Sequence, residues 1–264
     1  MYFAADMSKA ITYSDKGSGP VVVLLHGFCE SKEIWKSFSE SLSTSYRVIC
    51  PDLPGFGESP LDTDIISMEW FAAELHALFK LLQIKEYVFI GHSLGGYVGL
   101  ALAEKYSIEL KGLCLIHSTA YADSEERKTN RDRTYAFVKK YGAELFTQSF
   151  IEPLFLLKNR QILKESIIEL KNIAKQSSEA GVLATTLAMR DRKDRTLVLA
   201  ALQCPVLLIG GRNDATIPIE KLEEQAQLSS NIQLSVIGDC GHMGMYEQKE
   251  ETLKVLSTFL TKCF

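Results

Sequence analysis

Several things are missing from this sequence, and each absence removes a class of function. No uninterrupted apolar run approaches the roughly 18 residues of a membrane-crossing helix. Met1 to Ala10 has no basic segment followed by an apolar one, so no secretory leader is expected. There is no excess of positive charge: the formal net charge is -4, whereas nucleic-acid-binding domains are usually strongly basic. Six cysteines, at 29, 50, 114, 204, 240 and 263, form no C-x-x-C pair and no metal-ligand spacing with histidine. Several lie inside apolar runs and read as buried thiols of a reducing compartment, so the expected location is cytoplasmic. Also missing are Gly-x-x-x-x-Gly-Lys-Ser/Thr, a strand-linked Gly-x-Gly-x-x-Gly and His-Glu-x-x-His. No cofactor and no metal is therefore expected.

What is present is a β-α rhythm. Val21 to Leu25 is a continuous β-branched and leucine run, the pattern of a strand buried on both faces of a parallel sheet. A possible first strand at Ala10 to Tyr13 precedes it. Ser31 can cap a helix over Lys32 to Leu42, Tyr46 to Cys50 returns as a strand, and Pro51 to Ser59 is a Pro- and Gly-rich loop. Ser67 can cap an amphipathic helix to about Gln83, followed by strands at Tyr87 to Ile90 and Leu110 to Ile116. From Ser118 to about Leu187 the alternation gives way to helical patterns, at Thr134 to Gln148 and Arg160 to Gln176, with a charged segment, Ser124 to Arg133, before them. The rhythm resumes with Thr196 to Leu202, strand Val206 to Gly210, helix Ile219 to Leu228, strand Ile232 to Ile237 and helix Gln248 to Lys262. Such alternation predicts an α/β core of residues 1–117 and 188–264 interrupted by a helical cap, or lid, at 118–187.

The chemistry gathers at three corners of that core. Gly91-His92-Ser93-Leu94-Gly95 follows the strand Tyr87 to Ile90 and opens a helix running to Tyr106, the strand-turn-helix context of a Gly-x-Ser-x-Gly nucleophile elbow. A serine hydroxyl needs a base, and the base needs an acid to fix its tautomer. Strand Val206 to Gly210 runs into Gly211-Arg212-Asn213-Asp214, and strand Ile232 to Ile237 runs into Gly238-Asp239-Cys240-Gly241-His242. Parallel strands bring these loops to one rim. The chain order is Ser93, Asp214, His242.

With that order, and with His26-Gly27-Phe28, Asp52 to Ser59, Gly91 to Gly96, Gly210 to Asp214 and Gly238 to His242 in sequence, the chain resembles the α/β-hydrolase superfamily, in its lidded, esterase-like branch. The resemblance implies a mostly parallel, eight-stranded sheet with helices on both faces and a helical cap. It implies an oxyanion hole made by the backbone N–H groups of Phe28 and Leu94. His26 is expected to hold the oxyanion turn and Asp52 to pin its own loop; His92 is the elbow's variable residue, and His76 and His117 read as packing.

The function expected is hydrolysis of a carboxylic ester or related acyl bond of a small molecule, with water as second substrate, through an acyl-enzyme. Two alternatives stay open: carbon-carbon bond hydrolysis, disfavoured because Met243 stands where those enzymes often carry tryptophan, and a ligand receptor that keeps the triad and turns over little. Arg127, Arg131 and Arg133 could meet an acidic substrate, but a solvated helix face is the simpler account of them. The aromatic residues Phe137, Phe146, Phe150 and Phe155, with Leu154, line either an apolar pocket or the lid's own core.

Overall fold

The computed structural model describes residues 11–63 and 66–264. Seven strands form one sheet among these residues, where eight were expected: β1 (Tyr13–Lys16), β2 (Val21–Leu25), β3 (Arg47–Pro51), β4 (Tyr87–His92), β5 (Leu110–Ile116), β6 (Val206–Gly211) and β7 (Ile232–Ile237). Their order across the sheet is β1-β3-β2-β4-β5-β6-β7. Only the β1–β3 pair is antiparallel; the five other pairings are parallel. The first strand begins at Tyr13 rather than at Ala10, a residue that lies outside the described ones, and its 13–16 segment turns back at Gly17 directly into β2.

The apolar runs account for the central strands. Every residue of β4 is buried, as is every residue of β6. Helices α1 (Lys36–Leu42), α2 (Met68–Leu81) and α3 (Leu94–Tyr106) connect the first parallel strands. The Ser67 hydroxyl accepts from Trp70 N–H at 3.1 Å and starts α2 as the sequence predicts. Ser31 likewise accepts from Glu33 N–H, but the first turn after it, Lys32–Trp35, is a 3-10 helix and the α-helix begins at Lys36.

Between β5 and β6 the chain runs through α4 (Glu125–Tyr141), α5 (Ala143–Phe150), α6 (Lys164–Ala174), α7 (Glu179–Arg190) and α8 (Thr196–Ala201). The charged segment expected outside the helical patterns is instead the first half of α4. Ser124 caps it through Arg127 N–H, Glu125 and Glu126 sit in its positive first turn, and only Val138 of its residues is buried. The break comes at Gly142, whose φ of +86 suits glycine. The expected boundary at 187 falls inside α7, and the segment at which the rhythm resumes, Thr196–Ala201, is a helix. The chain closes with α9 (Ile219–Ala226), the short α10 (Gly244–Glu247) and α11 (Lys249–Cys263).

Both faces of β5 are covered. A methyl group on Gly99 of α3 would meet Leu113 on one face, and one on Gly112 would meet Phe259 and Cys263 of α11 on the other. With helices above and below, the loops at the carboxyl ends of β2, β4, β5, β6 and β7 share one rim, which carries Phe28, Ser93, His117, Asp214 and His242. Among the described residues no helix is long and apolar enough to cross a membrane.

Candidate active site

Ser93 sits between β4 and α3 with φ 48 and ψ -110, outside the regions that non-glycine residues ordinarily adopt. Close packing over-determines this strained corner. A Cβ on Gly91 would lie 2.4 Å from the Gly95 carbonyl oxygen, and one on Gly95 would lie 2.5 Å from that of Leu25. Ser93 N–H donates to Ile116 O at 2.9 Å, and the Ser118 hydroxyl donates to Ser93 O at 2.7 Å. The end of β5 therefore holds the serine backbone while its side chain is left free: among the described residues, nothing hydrogen-bonds to Ser93 Oγ. It opens on a cavity of about 50 Å³ that His242, Phe28, His92, Glu30, Tyr97, Arg131, Phe150 and Leu154 also line.

Asp214 and His242, 28 residues apart, meet at 2.8 Å between Oδ2 and Nδ1. Asp214 is fully engaged. Its Oδ1 accepts from the N–H groups of Thr216 at 2.8 Å and Ile217 at 3.0 Å, and its Oδ2 also accepts from His117 Nδ1 at 3.0 Å. Burial opposes ionisation of this carboxyl, but the His242 and His117 rings outweigh it and hold Asp214 far below the usual carboxylate range. No hydrogen bond joins His242 to Ser93, although both face the one cavity. Unliganded sites often leave this contact open.

The His242 backbone is fixed on both sides. Its N–H donates to Leu154 O at 2.8 Å and its carbonyl accepts from His92 Nε2 at 3.1 Å. Buried Glu247 binds the same loop, taking Gly241 N–H at 2.9 Å and Met243 N–H at 3.2 Å.

Phe28 and Leu94 flank the serine, and neither backbone N–H donates to a protein acceptor among the described residues. The Phe28 ring packs against Phe56, Phe146 and Phe150 at centroid distances of 6.0, 6.1 and 5.6 Å. His26 donates through Nδ1 to Gly27 O at 2.8 Å and accepts Leu53 N–H on Nε2 at 2.9 Å, which ties the Phe28 turn to the loop after β3. Burial keeps it neutral, its pKa lowered. Asp52 pins that loop and its neighbour through Lys32 N–H at 2.6 Å and Glu58 N–H at 3.1 Å. His76 stacks on Tyr106 at 3.6 Å, away from the cavity. Cys29 is wholly buried, and burial pushes its thiol well above the ordinary value, so it offers no thiolate.

Sequence patterns missed the roles of His117, His92 and Glu30, and set Arg131 aside as part of a solvated helix face. His117 is more than packing, because it shares Asp214 Oδ2 with His242 and its Nε2 accepts Gly244 N–H at 3.1 Å. His92 bonds Glu30 through Nδ1 at 2.9 Å, Glu30 in turn accepts Gly27 N–H at 2.5 Å, and Arg131 lines the serine cavity. His117, Asp214 and His242 bring donor atoms within 4.8 Å of one another, close enough in principle for a metal. Both histidine Nδ1 atoms are, however, already turned to Asp214 Oδ2, and His117 Nε2 accepts Gly244 N–H, so the three side chains are engaged with one another and with the backbone.

A sequence model described as the alpha/beta hydrolase fold matches residues 20–249. Among solved structures, a thermophilic esterase from Thermogutta terrifontis, with malate bound, superposes with a TM-score of 0.91 at 35% identity over 96% of this chain and 93% of that one. A pimeloyl-[acyl-carrier protein] methyl ester esterase from Shewanella sp. is 28% identical over 94% of this chain and 93% of the relative. A 2-hydroxy-6-oxo-2,4-heptadienoate hydrolase from Pseudomonas putida is 26% identical over 93% of this chain and 91% of the relative.

Proposed function

This chain belongs to the alpha/beta hydrolase fold family, and on that premise we propose that it is a serine hydrolase cleaving carboxylic esters through a Ser93-His242-Asp214 triad. The observation that carries the reading is the Asp214–His242 hydrogen bond of 2.8 Å beside a cavity shared with Ser93, whose backbone is strained and whose hydroxyl is unengaged. With Nδ1–H committed to Asp214, His242 keeps Nε2 unprotonated and able to take a proton.

In this mechanism Ser93 Oγ attacks the ester carbonyl carbon as its proton passes to His242 Nε2. The carbonyl oxygen gains the negative charge and is met by the N–H groups of Phe28 and Leu94; loss of one such donor costs about 2.7–4 kcal/mol of transition-state stabilisation. His242 returns the proton to the departing alkoxide, and the alcohol leaves an acyl group on Ser93. Water, deprotonated by His242, then releases the acid and restores the hydroxyl. Asp214 stays ionised throughout and steadies the imidazolium.

The helices of residues 118–187 act as a cap in this reading. Its support is the contact of Phe146 and Phe150 with Phe28, and the hydrogen bond from His242 N–H to Leu154 O. The substrate is a small molecule that enters when the cap shifts, since about 50 Å³ beside Ser93 is too little for an ester. All six cysteines are free, which supports the cytoplasm as its place of action.

Ser93→Ala and His242→Ala test the proposal. Each should lower turnover of 4-nitrophenyl butyrate by about a thousandfold or more with an unchanged circular dichroism spectrum. Full activity in either removes it. Carbon-carbon bond hydrolysis is a second reading, favoured by the Pseudomonas relative; a vinylogous diketone cleaved faster than any ester would place the chain there.

A further inference from the structure

Resting on the hydrolase reading, we propose that Arg131 is the recognition residue for a carboxylate on the substrate, and that the preferred substrate is an ester bearing a free carboxylate, such as a half-ester of a short dicarboxylic acid.

The argument begins with an imbalance of charge. Asp123, whose side chain is wholly buried, stands among three guanidinium groups: Arg192 Nη1 at 2.6 Å, Arg131 Nε at 3.1 Å and Arg127 Nη1 at 3.9 Å. One carboxylate cannot neutralise three cations. Two of the three have other partners. Arg192 donates to Tyr121 O at 3.1 Å and Met189 O at 2.9 Å and lies 4.0 Å over the Tyr97 ring. Arg127 donates through Nη2 to Thr216 O.

Arg131 is different. Only its Nε, on the side of the guanidinium, is engaged with Asp123. Among the described residues its two terminal nitrogens have no protein acceptor, and those nitrogens form the planar fork that matches a carboxylate with two parallel hydrogen bonds. The side chain is only 20% exposed, so water solvates it incompletely. It lines the cavity of about 50 Å³ that Ser93 and His242 also line.

Nothing else in that cavity is left to balance it. The one carboxylate that lines it, Glu30, is taken by His92 at 2.9 Å and Gly27 N–H at 2.5 Å. Beside the nucleophile there is thus a half-buried cation with an open bidentate face, suited to an anionic group. Thr216 borders both this cavity and a second one of about 370 Å³, lined by Tyr121, Ile217 and Pro218 among others.

The test compares two methyl esters of matched shape, monomethyl glutarate and methyl 5-methylhexanoate, by titrating the acid released. Wild type should favour the anionic ester in kcat/KM. Arg131→Gln should lose about ten- to a hundredfold on the glutarate ester, as expected for a hydrogen bond between charged groups, while the neutral ester changes by less than about threefold. Arg131→Lys should recover part of the loss. Asp123 keeps Arg192 in both variants, so the fold has its anchor. A glutarate-to-neutral ratio that is the same in wild type and Arg131→Gln overturns the inference and leaves the hydrolase reading intact if Ser93→Ala remains dead. Should wild type hydrolyse neither ester, calorimetry with glutarate decides: binding that Arg131→Gln abolishes supports the inference, and no binding, or equal binding, ends it.

Discussion

His117 donates Nδ1–H to Asp214 Oδ2 at 3.0 Å, the same carboxylate oxygen that His242 Nδ1 reaches at 2.8 Å. Its Nε2 meanwhile accepts Gly244 N–H at 3.1 Å, so one neutral imidazole braces the loop after β6 against the loop after β7. Burial lowers the His117 pKa, and the neighbouring Asp214 only partly offsets that effect. Removing the ring strands a buried N–H and thins the donor set around Asp214. We expect His117→Ala to destabilise the fold by about 1–3 kcal/mol, the cost of unmet buried hydrogen bonds, and to lower kcat more than it raises KM. Urea unfolding and steady-state kinetics check both.

The Glu30–His92 pair makes stability depend on pH. Burial alone would lower the His92 pKa, but the Glu30 charge and hydrogen bond outweigh it and raise it above the ordinary 6.5. Glu30 moves the other way: burial opposes its charge, yet His92 and Gly27 N–H bring its pKa below the ordinary 4.5. For a raised histidine, the stabilisation is complete below its unfolded value and is lost as pH rises through the folded one. For a lowered glutamate it is complete above the unfolded value and is lost as pH falls through the folded one. The pair therefore contributes fully between about 4.5 and 6.5. The melting-temperature difference between wild type and Glu30→Gln should be largest in that window and shrink as pH rises beyond it. A difference that stays flat from about pH 5 to 9 contradicts the ion pair.

Gly95 allows α3 to approach the end of β2 closely. A methyl group there would lie 2.5 Å from Leu25 O and 2.7 Å from His26 O, both rigid backbone atoms. Gly95→Ala should cost about 1–3 kcal/mol or more through overpacking, read as a lower urea midpoint. It should also displace the elbow, so that turnover falls in protein that remains folded.

Phe150 lines the cavity that Ser93 borders, with its ring 5.6 Å from Phe28 and 5.2 Å from Phe146. Trimming it enlarges the space beside Ser93. In an acyl chain-length series, Phe150→Ala should shift the optimum toward longer chains, with kcat/KM on an octanoyl ester rising several-fold relative to a butyryl ester. An unchanged chain-length profile would place the acyl group elsewhere.

The central strands and the strand-turn-helix at Ser93 were legible because each is a local pattern: a buried apolar run, a cap, a glycine pair. β1 and the charged half of α4 were not. The first is an edge strand of alternating burial with little apolar signal, and the second is a helix whose faces are nearly all polar. The network around Asp214 and His242 was hidden for a different reason. Glu30 meets His92 across 62 residues of chain, His117 meets Asp214 across 97, and His92 meets the His242 carbonyl across 150. Such pairings have no periodicity or spacing to read. Asp214 and His242 could be singled out because each lies in the loop just past a strand whose end shares the rim with Ser93.

The most direct measurement is labelling of the wild-type protein with a fluorophosphonate, followed by intact-mass and peptide analysis. The account predicts one adduct per chain, on the peptide that contains Ser93, and its disappearance in Ser93→Ala and strong slowing in His242→Ala. No adduct on a folded protein, or an adduct on another residue that Ser93→Ala leaves in place, would contradict it.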